Sequence, residues 1–74
     1  MILKVGDRIN VMKYERHIDR INPVRVFKDS GFFQDFQVIR HDDGESSIHV
    51  IYMTDDGSLR YANMSMVMRV ASDD

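Results

Sequence analysis

Three histidines and twelve carboxylates are the residues of this 74-residue chain whose types suit acid–base or metal chemistry. Their spacing does not assemble them. His17, His41 and His49 show neither the H-x-x-x-H nor the H-E-x-x-H interval that puts two imidazoles on one side of a metal. His41 precedes Asp42 and Asp43, but neighbours in a turn lack metal-site spacing, and the pairs Asp42-Asp43 and Asp55-Asp56 lack the oxygen series of an EF-hand. With no cysteine, a nucleophile would have to be Ser, Thr or Lys, and no G-x-S-x-G elbow is present. The expectation is a chain that is not an enzyme and takes no metal or cofactor.

Binding chemistry is better represented. Residues 1–28 carry seven Lys or Arg against three acids, whereas residues 29–74 carry three against nine. Within the basic part, Arg8, Lys13, Arg16, Arg20, Arg25 and Lys28 are interspersed with Tyr14, His17 and Phe27, which would suit phosphate contacts and base stacking if they converge. A net charge of -2 opposes that use, since a polyanion binder ordinarily carries a basic footprint. Nucleic acid is therefore the alternative ligand, and a solvated or acid-paired basic face the structural reading of the same residues. Tyr14, Tyr52 and Tyr61 with Asp55 and Asp56 have the composition of a cage around a methylated cation, although strand tyrosines more often form the wall of a sheet.

The apolar residues outnumber the places a small sheet can bury. In "IHVIYMT" an inward set of Ile48, Val50 and Tyr52 leaves Ile51 and Met53 outside, and in "FQVIRH" an inward Phe36 and Val38 leave Ile39 outside. Phe32-Phe33 adds two adjacent rings, and Met64, Met66 and Met68 alternate near the end. A surplus of this kind predicts a contiguous exposed patch that marks a partner interface, where the flexible methionine thioether adapts to irregular surfaces. The expected patch is Phe32, Phe33, Ile39, Ile51 and Met53, oriented by rim charges from Arg16, Arg20 and Arg25, and its expected occupant is a larger protein or a second copy of the chain. The competing reading is that the long first loop folds back over these residues.

The elements that would position them are strands. Val5, Ile9 and Val11 alternate with polar positions, which predicts a strand over 8–14 after a Gly6-Asp7 turn. Pro23 restricts Asn22 to extended angles, so "YERHIDRINP" reads as a long connection with local helical character. "VRVFK" over 24–28 predicts a short strand, "DSGFF" a turn around Gly31, and 34–41 and 46–54 two further strands. Asp-Asp-Gly at 42–44 and 55–57 are hairpin signals, making a meander that ends in "LRYAN"; a final strand over 67–70 precedes a solvated 71–74 tail.

An apolar-Gly-Asp-x-Ile-x-Val opening, a long first loop, a central hairpin and "VIYMTDDGSLRYANMSMVMRV" resemble the Src-homology-3-like small barrels of the Tudor and KOW kinds. The resemblance implies an all-β fold: a five-stranded antiparallel barrel with a long first loop and a single 3-10 turn at "ANMSM" before the last strand. It also implies binding of peptides, modified side chains or nucleic acid through the first loop and its neighbours. One domain over 1–74 is expected, with no bilayer-spanning run and no signal-peptide core, and a cytoplasmic location for a small adaptor, regulator or inhibitor of cellular or viral origin.

Overall fold

A computed structural model describes residues 2–71. Of the expected tail, residues 72–74 lie outside the described residues. The chain is all-β: β1 (Arg8–Glu15), β2 (Val24–Arg40), β3 (Ser46–Met53), β4 (Leu59–Asn63), a 3-10 turn over Met64–Met66, and β5 (Val67–Arg69). They form one antiparallel sheet in the order β4-β3-β2-β1-β5, without pairing between β4 and β5. The sheet is strongly shared through one strand but is not closed.

The two late hairpins have one construction. His41 donates its N–H to the Glu45 carbonyl (2.8 Å) and receives that of Gly44 (3.0 Å); Thr54 does the same with Ser58 (2.8 Å) and Gly57 (3.0 Å). Each loop is Asp-Asp-Gly with glycine at φ near +85°, the left-handed end of a three-residue hairpin loop that glycine occupies without a Cβ penalty. In each, the second aspartate accepts the N–H two residues on, Asp43 from Glu45 and Asp56 from Ser58. The 3-10 turn is capped by Asn63, whose Oδ1 accepts from the Ser65 N–H (3.0 Å) and hydroxyl (2.8 Å).

The sequence reading divides β2 into two strands at Gly31, and the structure corrects it. β2 runs unbroken for 17 residues, its first half paired with β1 and its second with β3. Gly31 has no positive φ and lies opposite Ile9. Its lack of a side chain is spent on close approach: a Cβ there would stand 2.4 Å from the Met53 carbonyl oxygen and 2.8 Å from Cδ2 of Tyr52. Irregularities on either side, where Lys28 and Gln34 each have no opposite residue, let β2 bend between its two partners.

The core lies inside that bend: Leu3, Ile9, Val11, Phe33, Val50, Tyr52 and Val67, with Ala62 and Met64 against it. Tyr52 fills the space over Gly31 and donates to Asp29 Oδ2 (3.0 Å), which also pairs with Arg60 (3.2 Å). β2 and β4, which do not touch by backbone, are thereby joined. The core also ends early. Phe36, Val38 and Ile48 belong to the inward alternation with Val50 and Tyr52, yet they are 40%, 62% and 45% exposed. Their inward assignment is thus corrected to an uncovered continuation of the core: Val38 and Ile48 lie beyond the last β4 pair, His49↔Asn63, and Phe36, opposite Val50, stands at its border. Nor does the first loop fold back: every residue from 13 to 23 is exposed.

Candidate functional site

Along β3 both faces are apolar. Val50 and Tyr52 point into the core, and Ile51 and Met53, half-buried, point outward. An antiparallel sheet with one wet face normally alternates apolar with polar residues, so the outward pair calls for an explanation. Register supplies their neighbours: Met53 lies between Phe32 on β2 and Leu59 on β4, and Ile51 lies opposite Tyr61. Leu59 is 63% exposed, Tyr61 68% and Phe32 39%. These five side chains form a contiguous outer patch, with a shallow depression of about 140 Å³ between Gln37, Ile51, Leu59, Arg60 and Tyr61.

Charge at the margin is held in place. Arg8 donates to both oxygens of Asp55 (2.7 and 3.2 Å) and to the Ser30 hydroxyl (2.8 Å), while its guanidinium lies 4.7 Å from the Phe32 ring centroid. A two-pronged arginine–carboxylate contact fixes orientation as well as charge, and a cation over a ring adds attraction from the ring quadrupole. The Arg8 hydrogen bonds hold the Asp55 carboxyl below its ordinary range. At the far margin His49 meets Tyr61 edge-on at 5.7 Å, and its Nδ1 is buried without a hydrogen-bond partner.

Of the residues expected in the patch, Phe32, Ile51 and Met53 are brought together. Ile39 shares their face but lies farther along β2, opposite Ser47. Phe33 is a correction: it is 3% exposed, packed on Phe36 at 4.7 Å, because strand alternation turns only one of two adjacent rings outward. Arg16, Arg20 and Arg25 do not rim the patch. They belong to a separate arm made by the end of β1, loop 16–23 and the start of β2, and Arg25 lies seven residues from Phe32, about 23 Å of extended chain. Leu59, and Tyr61 considered only for a cage, join the patch, a placement that alternation across the 55–57 turn signals.

The arm's tip is exposed: Ile18 and Ile21 are 108% and 93% accessible, beside Arg16, His17 and Arg20. Among the six basic residues considered for nucleic acid, Arg8 is engaged with Asp55, Arg25 donates to the Ser65 carbonyl (3.0 Å), and Lys13 lies 3.6 Å from Glu15. Arg16, Arg20 and Lys28 are exposed. The tyrosines do not converge, since Tyr52 is buried, Tyr61 is on the outer patch and Tyr14 is on the arm. His41 contacts the Ser47 hydroxyl and His17 faces Glu15, and no group of three His, Cys, Asp or Glu among the described residues is placed to hold a metal. No helix among the described residues is long and apolar enough to cross a membrane. In comparisons with family models, with curated proteins and with solved structures, nothing matches the chain.

Proposed function

We propose that this chain is a non-enzymatic binding module, an adaptor, regulator or inhibitor acting in the cytoplasm, that docks on a larger protein through the outer face of β2, β3 and β4. The observation that carries the reading is the double-sided apolar character of β3, with Ile51 and Met53 extended by Phe32, Leu59 and Tyr61 into one exposed surface. Such patches on small proteins mark interaction sites, and the paired charges of Arg8 and Asp55 give this one a fixed polar margin. The strand order, the bent β2 shared between two half-sheets and the 3-10 turn before β5 support a Src-homology-3-like barrel, a frame whose function lies in the surfaces it carries.

Affinity capture from the native host tests the proposal, with nuclease-treated and untreated samples side by side. Capture of a protein by the wild-type chain, lost in Ile51→Glu while circular dichroism and melting are retained, supports it. Equal capture by the folded Ile51→Glu chain would refute it, and capture abolished by nuclease would transfer the function to nucleic acid and to Arg16, Arg20 and Lys28.

A further inference from the structure

Two parts of the molecule are left incomplete, and they are chemically complementary. The first is the arm tip, with Ile18 and Ile21 fully in solvent and Arg16 and Arg20 beside them. Over residues 12–28 the arm carries five basic side chains against two acidic ones. The second is the uncovered end of the core, where Phe36, Val38 and Ile48 lie exposed on the core face of the sheet, Val38 and Ile48 past the last β4 pair and Phe36 at its border. It adjoins the 41–45 loop, which brings Asp42, Asp43 and Glu45 together against Arg40 alone. One surface is apolar with a basic margin, and the other is apolar with an acidic margin.

The overall dimensions carry the same message. A folded monomer of 8.7 kDa is expected to expose about 4,700 Å², whereas this chain exposes 5835 Å². The excess, roughly 1,100 Å², exceeds the ~800 Å² that each partner contributes to a standard protein interface. The radius of gyration is 14.0 Å, against about 11 Å for a compact domain of this length.

We infer that the chain self-associates by seating the Ile18–Ile21 tip of one copy on the Phe36–Val38–Ile48 surface of a second, with Arg16 and Arg20 meeting Asp42, Asp43 and Glu45. The contact joins two different surfaces, so its smallest closed form is a reciprocal pair in which each arm occupies the other copy's open core. It uses none of the five residues of the outer patch.

Sedimentation of the full chain over a concentration series is expected to show species heavier than the 8.7 kDa monomer. Ile18→Glu combined with Ile21→Glu is expected to sediment as a monomer, as is Val38→Glu. Mixing the two variants restores association, because one still offers an open core and the other an arm. Proximity is read separately with Ile18→Cys and Val38→Cys, in a background without other cysteines. The mixed disulfide is expected to form in preference to either homodimer, a readout that holds even where Val38→Glu fails to fold. A wild-type chain that is monomeric throughout the series overturns the inference. So does association that survives Ile18→Glu with Ile21→Glu, or a Val38→Cys homodimer that forms faster than the mixed species. Ile51→Glu is expected to leave self-association intact, which separates this contact from the outer patch.

Discussion

Gly31 and Tyr52 form one packing unit, and neither can change alone. A methyl at position 31 would meet backbone at 2.4 Å, a clash that a flexible side chain cannot relieve. Overpacking of this kind costs about 1–3 kcal/mol, so Gly31→Ala is expected to lower the free energy of unfolding by that amount, measured by urea denaturation. Tyr52 gives a second expectation. Burial first, then its hydrogen bond to Asp29, pushes the phenol from 10.0 up to about 12. The folded state therefore holds a proton that the unfolded state releases, and the stabilisation present below pH 10 is lost as pH rises towards about 12. Tyr52→Phe removes one hydrogen bond, about 1 kcal/mol at neutral pH, and its deficit relative to wild type is expected to shrink in alkaline melts. The sequence placed Tyr52 inward correctly, but read Gly31 as a turn. A glycine required for close approach is indistinguishable in sequence from a turn glycine, because the atoms it must avoid belong to Met53 and Tyr52, more than twenty positions away.

At the scale of elements, turns were legible and strand continuity was not. Asp-Asp-Gly specifies its own geometry through local hydrogen bonds, and both loops have the expected place in the meander. The length of β2 depends on its two partners, which local composition does not reveal, and the end of the core depends on where β4 stops. The second loop has an added restraint: Asp56 accepts from the Thr54 hydroxyl as well as from the Ser58 N–H. These hydrogen bonds, the Thr54 one foremost, lower the Asp56 carboxyl below its ordinary value of 3.8. A lowered folded value means stabilisation that is present above the unfolded value and lost as pH falls through the folded one. Asp56→Asn is expected to flatten the acid limb of the melting temperature against pH.

Across the whole molecule, the linear charge bias of the sequence becomes a spatial one. The basic arm projects from one side of the fold and the 41–45 loop from another, and the extents of 38 × 37 × 24 Å describe a broad, thin body. Composition disclosed the bias; the pairing of Arg8 with Asp55 and the contact of Arg25 with the Ser65 carbonyl, beside Arg16 and Arg20 with no such contact among the described residues, could not be read without the register. Opposite-charge margins in solvent are screened within about 8 Å at physiological ionic strength. Self-association is therefore expected to weaken as sodium chloride is raised from low to molar concentration, without vanishing, since the isoleucine contacts remain. Sedimentation across a salt series measures this, and association that strengthens steadily from the lowest salt would indicate an apolar contact alone.

The order of the strands also dictates an order of events. The β2–β3 and β3–β4 hairpins close through short local loops, whereas Ile9 and Arg69, paired between β1 and β5, are sixty positions apart. Bringing distant segments together costs loop entropy before any contact compensates for it. The meander is thus the natural nucleus of folding, and the pairing of β1 with β5 its final step. Until that step Ile9, Val11 and Val67 have no shared interior, so the chain's vulnerable interval is the time for which its first strand waits for its last.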